Sequence, residues 1–137
     1  MDFDFSALNW LAVLVSVIAG QVISTLWFVV IFAAPWAEEY GAADAKQHTA
    51  EIPPYTYGLG VLSTATLTLS IALLQGALGT SGAMEGIMLG LVVAVGFCCA
   101  TMLPGQAFLK RLRVFAIAAG SQTVMILAIS TILAVWK

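Results

Sequence analysis

The chain has 137 residues, of which 61% are hydrophobic and 9% are charged, and its mean hydropathy is +1.02. Soluble domains carry about a quarter charged residues, so this composition excludes a soluble globular protein and indicates one that lies in a lipid bilayer. The net charge is −2 with only five basic residues, which offers no basic surface for a nucleic-acid partner.

Four long apolar stretches predict four membrane-spanning helices. We expect the helices at about 8–36, 57–78, 83–104 and 114–136, with a loop at 37–56. Each stretch has about 20 residues or more, enough at about 1.5 Å per residue to cross a hydrocarbon core of about 30 Å. The stretches are apolar on nearly every face, whereas a spanning β-barrel needs alternating positions. The expected fold class is an all-α membrane protein, a four-helix up-and-down transmembrane bundle in a single domain over 1–137.

The basic residues predict the orientation of this bundle. Four of the five fall on one side of the predicted topology: Lys46, Lys110, Arg111 and Arg113. Only Lys137 lies on the other side. Because basic residues concentrate in cytoplasmic loops, we expect the loop 37–56 in the cytoplasm and both termini outside. Asp2 and Asp4 agree with that orientation, and they argue against a cleavable signal peptide, which begins with basic residues.

The first helix carries a small residue at every fourth position, which forms a stripe along one face. Its members are Ala12, Ser16, Gly20 and Ser24. In lipid, small residues let helix backbones approach closely and gain van der Waals contacts, so this stripe is predicted to pack against another helix. Trp10 and Trp27 lie toward the two ends of the helix and are interpreted as interface anchors.

The loop contains the single histidine of the chain with carboxylates at helical spacing. Asp44 precedes His48 by four residues and Glu51 follows it by three. A short helix at 42–50, ended by the two prolines that follow, would place the three side chains on one face. Such a face could bind a metal, or it could be an ordinary solvated surface with ion pairs. The second interpretation is favoured, and neither a metal nor a cofactor is predicted.

The second helix combines a small-residue stripe with an enrichment in hydroxyls. The stripe consists of Gly60, Thr64, Thr68, Ala72 and Gly76. The hydroxyl residues are Ser63, Thr64, Thr66, Thr68 and Ser70. These hydroxyls could line a polar pathway, but in a helix they more often bond to the carbonyl of the preceding turn.

The third helix has its own stripe of small residues, Gly86, Gly90, Ala94 and Cys98. Pro104 and Gly105 are expected to end or kink this helix, because proline lacks the amide hydrogen that a helix needs. The connection that follows contains Lys110, Arg111 and Arg113, which are predicted to contact anionic lipid headgroups.

The fourth helix has a weaker stripe, consisting of Ala116 and Gly120. We therefore expect it to pack more loosely or to present a larger face to lipid. Gln122 lies near its middle, and Gln21 lies near the middle of the first helix. Helices one and four are neighbours in an up-and-down bundle, so the two amides are predicted to meet as an interhelical polar pair.

Several short runs together resemble a bacterial family of short four-helix membrane proteins of unknown function. They are Asn-Trp-Leu-Ala-Val at 9–13, Leu-Trp-Phe at 26–28, Pro-Trp at 35–36, Gly-Phe at 96–97, and the segment 111–120 leading to Ile-Leu-Ala-Val-Trp at 132–136. The resemblance spans nearly the whole chain and implies a bacterial inner (cytoplasmic) membrane. The family usually carries Tyr where Phe28 stands and Asn within the segment matching 117–120, and both polar groups are missing here.

No catalytic motif stands out, and no ionisable residue lies deep within a predicted span, which disfavours proton-coupled transport. We therefore expect a non-catalytic structural or accessory subunit whose small-residue faces pack against a larger membrane complex or against copies of itself. Its expected partners are membrane lipids and other membrane subunits. The alternative is a small homo-oligomeric transporter or channel, with a pathway lined by the hydroxyl-rich second helix.

Overall fold

The computed structural model describes residues 3–136, so Asp2 and Lys137 lie outside the described residues. This part of the chain is helical and contains no β-strand. Its helices are α1 (Trp10–Ile31), α2 (Ala33–Glu39), α3 (Ala45–Glu51), α4 (Tyr55–Leu78), α5 (Ala83–Phe108) and α6 (Leu112–Val135). Four of them, α1, α4, α5 and α6, are long and apolar enough to cross a membrane, which confirms the predicted fold class.

The helix ends follow from local chemistry. Asn9 begins α1 by accepting a hydrogen bond from the backbone N–H of Ala12 at 3.1 Å. Asp44 caps α3 in the same way, with the backbone N–H of Gln47 at 2.7 Å. These side chains satisfy amide hydrogens that have no partner within their own helix. Gly79 ends α4 with φ of +67°, a conformation that side chains other than glycine rarely adopt.

The third spanning helix does not end at Pro104; it continues to Phe108. Two local features precede the proline in α5. The helix is wound as a π-helix over Val92–Cys99, and the Thr101 hydroxyl donates hydrogen bonds to the carbonyls of Phe97 and Cys98. Proline is tolerated in spanning helices where such local rewinding and hydroxyl groups compensate for the lost backbone bond.

The fourth spanning helix, α6, is the centre of the bundle. Helices α1 and α5 pack along it, and α4 packs against both α1 and α6. Helices α4 and α5 follow each other in sequence but make no extended contact. In its most apolar 18-residue window, α6 has 39% of its residues buried, against 11% in α1. The expectation that the fourth helix packs more loosely or presents a larger face to lipid is therefore wrong.

The core consists mainly of branched and small side chains from all four spanning helices. Its buried members are Ala12, Ile71, Ala72, Val93, Ala94, Met125, Ile126, Ile129 and Leu133. Four of these nine belong to α6, and all four are large. The large side chains of α6 fill the spaces that small residues leave on the neighbouring helices, while Gly120, Ser130 and Ala134 of α6 itself lie in close contacts with α1 and α5.

Candidate functional site

The closest helix contact joins the first half of α5 to the last half of α6. A Cβ atom built on Gly86 would lie 2.7 Å from Ala134 Cβ and 2.8 Å from the Ser130 carbonyl oxygen. A Cβ on Gly90 would lie 3.1 Å from Ser130 Cβ. Both glycines are buried, as is Ala94 one turn further along. The atoms that a Cβ on Gly86 would meet include backbone atoms of α6, so only glycine fits this contact.

The small residues of α1 contact α4 and α6. A Cβ on Gly20 would lie 2.8 Å from the Thr64 methyl group and 3.1 Å from Ile129 Cδ1. Ala12 and Ser16 are also buried. Ser24 is half-buried, and its hydroxyl donates to the sulfur of Met125 at 3.4 Å. The predicted stripe on α1 therefore lies in the interior over its whole length.

The stripe on α4 divides into buried and open members. Thr64 and Thr68 are buried, whereas Gly60 and Gly76 are exposed. A Cβ on either glycine would meet nothing within 4 Å. The Thr66 hydroxyl donates to the Leu62 carbonyl, and other hydroxyls on this helix bond back in the same way. Ala72 is buried as well, so two of the five predicted members of this stripe have no close contact in the single chain.

The two glutamines predicted to pair do not meet. The Gln21 amide donates to the Thr64 hydroxyl at 2.6 Å and to the Gly60 carbonyl at 3.2 Å, and so bonds α1 to α4. Gln122 makes no side-chain hydrogen bond within residues 3–136. The reason is geometric, since α4 packs beside α1 and a hydroxyl there is closer to Gln21 than α6 is.

A polar connection that the sequence interpretation missed joins three helices. The Gln75 amide of α4 donates to the Ser130 carbonyl at 2.7 Å and to the Ser130 hydroxyl at 3.0 Å. The Ser130 hydroxyl in turn donates to the Gly86 carbonyl of α5 at 2.7 Å. Gln75 is 2% exposed, and its Oε1 atom has no partner. Its spacing of seven residues from buried Thr68 is the signal that would have placed it on the inner face.

Two of the three residues predicted to contact lipid headgroups are engaged within the protein. Arg113 forms ion pairs with Glu38 at 3.0 Å and with Glu39 at 3.3 Å. Arg111 donates to the Glu39 carbonyl at 2.9 Å, and its guanidinium lies 5.0 Å from the centre of the Tyr40 ring. Lys110 is exposed, with φ of +57° in the tight connection. Headgroup contact remains a prediction for all three residues.

These contacts define one end of the molecule, which we call the basic end: Lys46, Lys110, Arg111 and Arg113 with the helices α2 and α3. The opposite end, which we call the terminal end, contains both described chain ends, because Leu8 and Trp136 line one small cavity there. That cavity has a volume of about 80 Å³, and Asn9 and Gln75 also border it.

A second cavity lies at the basic end, between α1, α3 and α4. It has a volume of about 270 Å³, with Gln21 among its lining residues. Phe28 and Trp36 form aromatic walls, with ring centres 4.5 Å apart. The stacking continues from Trp36 to Tyr40 at 5.1 Å and from Tyr40 to His48 at 5.1 Å, so a ladder of four rings holds α2 and α3 against α1.

The three residues of the alternative metal site have other roles. Asp44 caps α3, and Glu51 accepts a hydrogen bond from the Gln47 amide at 2.9 Å. His48 stacks on Tyr40 and lines the cavity. Among the described residues, no group of three acidic, histidine or cysteine side chains could hold a metal ion.

A comparison of the sequence with family models matches residues 11–134 to the family described as "Protein of unknown function (DUF1761)". The chain belongs to this family. The match covers all four spanning helices, and it confirms the resemblance to a family of unknown function that the short runs indicated. No curated protein and no solved structure matches the chain.

Proposed function

We propose that this member of the family is a non-catalytic, multi-pass accessory subunit of a bacterial inner membrane that packs against a larger membrane complex or against copies of itself. The observation that supports the proposal is the open arrangement of α4 and α5. Each packs on α6 along one side, they make no extended contact with each other, and both carry exposed glycines at which a Cβ would meet open space.

These glycines differ from the ones inside the bundle. Gly60 and Gly76 on α4, and Gly96 and Gly105 on α5, are exposed, and a Cβ on any of them would meet nothing within 4 Å. Glycine lowers the tendency of a segment to form a helix. In a spanning helix, this cost is usually compensated by the close approach of another helix. A partner helix, either foreign or from a second copy, would supply that compensation.

The orientation that we propose places the basic end in the cytoplasm and the terminal end outside. Lys46 and the run around Arg111 lie at the same end, which supports one basic side for the whole protein. Exposed Lys110 is the basic residue there that we expect to contact anionic lipid headgroups.

A second candidate function is a small homo-oligomeric transporter or channel. The observation that favours it is a pair of buried hydroxyls without partners, Ser16 on α1 and Thr68 on α4. Buried polar groups are usually paired, and an unpaired group is a place where water or a solute gains a hydrogen bond. Together with Gln21, these groups would contribute to a polar pathway beside α4.

The test is to extract a tagged copy from its native membrane in mild detergent, measure the particle mass, and identify the proteins present. Stoichiometric foreign subunits would support the accessory role, and a multiple of this chain alone would support self-assembly, to be followed by flux measurements in liposomes. A particle that contains one copy and no other protein would overturn the proposal of assembly.

Two variants sharpen that test. Gly76→Leu and Gly96→Leu each place a large side chain on an open face, and each should shift the particle toward single chains without unfolding them. Val61→Leu, on an exposed position of α4, is the matched control and should leave the particle mass unchanged.

A further inference from the structure

The cavity at the basic end opens sideways toward the region that lipid occupies. Thr25 and Val29 of α1 and Gly60 of α4 line it, and all three are exposed. The inner part is lined by half-buried Gln21 and Ser24. A ligand that enters from this side therefore meets polar groups of the interior in the gap between α1 and α4.

The lining contains more hydrogen-bond donors than the protein itself uses. Within the described chain, the indole N–H of Trp36 and the side chains of Thr25, His48, Thr56 and Tyr57 donate no hydrogen bond to another residue. The indole N–H can only donate, and a hydroxyl can always donate. The complementary ligand is therefore one that presents several acceptor oxygens.

The charge of the lining narrows the ligand class further. No carboxylate, lysine or arginine lines the cavity. Lys46 of α3 lines a separate depression beside Val29 and Ala50, and Arg111 and Arg113 are engaged by Glu38 and Glu39 of α2. A phosphate group would need a cation within hydrogen-bond distance, so the cavity suits neutral carbonyl oxygens better than a phospholipid headgroup.

The size and the walls suit a single flat ring. The volume of about 270 Å³ lies just below the range of about 300–1,000 Å³ that is typical of pockets for drug-sized ligands. Phe28 and Trp36, tilted by 54° with centres 4.5 Å apart, offer aromatic surfaces for stacking. If the ring carries a hydrocarbon tail, the tail would extend past exposed Val29 into the lipid.

We propose that this cavity binds the head group of a membrane quinone, with the ring against Phe28 and Trp36 and the ring carbonyls accepting hydrogen bonds from donors at the two ends, Thr25 on one side and His48 or Tyr57 on the other. The proposal concerns binding alone and includes no electron transfer. It does not depend on the proposed assembly, because the lining comes from helices of one chain.

The test uses the purified full-length protein in nanodiscs of phosphatidylcholine, with a decyl-tailed ubiquinone analogue as the probe. Binding is measured by equilibrium dialysis, and quenching of tryptophan fluorescence reports the site. Saturable binding is expected, and Trp36→Phe should remove most of the quenching, since the other tryptophans lie outside this cavity.

Thr25→Val and His48→Phe should each raise the dissociation constant about three- to tenfold, the loss expected for one hydrogen bond. Thr66→Val is the matched control, because that exposed hydroxyl lies on α4 outside the cavity and donates to its own helix. It should leave the dissociation constant unchanged.

Three outcomes would overturn the proposal. They are the absence of saturable quinone binding, equal affinity in the Thr25→Val, His48→Phe and Thr66→Val variants, and displacement of the quinone by phosphatidylglycerol at matched concentration. The last result would assign the cavity to an anionic lipid headgroup instead. Circular dichroism of each variant shows that a changed affinity does not arise from unfolding.

Discussion

The α5–α6 contact and the small-residue stripe of α4 have the same sequence pattern and opposite surroundings. Gly86 and Gly90 lie against the backbone and side chains of α6, whereas a Cβ on Gly60 or Gly76 would meet nothing within 4 Å. What differs is how closely the neighbouring helix approaches: α6 presents Ser130 and Ala134 directly to the first pair, whereas α1 leaves a cavity beside each glycine of the second. A stripe of small residues thus marks where a helix can approach, and the partner decides whether one does.

The variant that tests this difference between the two pairs of glycines with the largest expected effect is Gly86→Leu. The new side chain would meet the Ser130 carbonyl, and backbone cannot move aside as a flexible side chain can. We expect a loss of about 3 kcal/mol or more in the free energy of unfolding. Denaturation in mixed detergent micelles, followed by circular dichroism, measures it. Gly76→Leu is the control on the open face, and a similar loss of stability there for a single chain would contradict the contrast.

The polar connection at the terminal end gives the next largest effect. Gln75→Leu removes both hydrogen bonds to Ser130, and we expect a loss of about 1 kcal/mol, since polar contacts between spanning helices average about 0.6 kcal/mol. Gln122→Leu makes the same chemical change, but the Gln122 side chain forms no hydrogen bond within residues 3–136. The free energy of unfolding of this variant should therefore stay within about 0.5 kcal/mol of that of the wild type. Equal losses in the two variants would show that Gln75 does not hold the helices together.

The ion pairs at the basic end should contribute less. Arg113→Gln removes the contact with Glu38, in which both side chains are exposed, and the contact with Glu39, in which only the arginine is, so the expected loss is below about 1 kcal/mol. The difference from wild type should shrink as salt rises, because ions screen exposed charges. Lys110→Gln, which breaks no ion pair in the described residues, is the control. A loss that does not vary with salt would point to packing by the arginine stem.

The smallest expected effect comes from His48→Ala. His48 stacks on Tyr40 but belongs to the short and largely exposed helix α3. We expect a loss of less than about 0.5 kcal/mol in unfolding, far below that of Gly90→Leu, which would place a side chain against Ser130 and Leu127. Thermal unfolding of both variants in the same detergent decides the order, and the reverse order would show that the basic end is part of the structural core.

Much of the fold could be predicted from hydropathy. Four apolar stretches of sufficient length determine four helices, because lipid leaves the backbone few alternatives. The sequence also located the glycines of α1 and α5 that lie in contacts. It misjudged α6, because the large residues that fill a groove, such as Ile126 and Ile129, resemble lipid-facing residues in a single sequence.

The candidate site could not be predicted, because it depends on contacts distant in sequence. The cavity exists because α2 and α3 fold back onto α1 through the rings of Trp36, Tyr40 and His48. Gln21 was singled out correctly as an interhelical residue, but its partner was not. That partner depends on which helices are neighbours, and the order of four similar helices around one another leaves no local mark in the sequence.

The central place of α6 has a consequence for biogenesis. Helix α5 makes its extended contact with α6, and four of the nine core residues belong to α6, which follows the other three spans in the chain. A product released before residue 112 would therefore keep the contact between α1 and α4, but it would lack the helix on which α5 packs and four of the nine core residues.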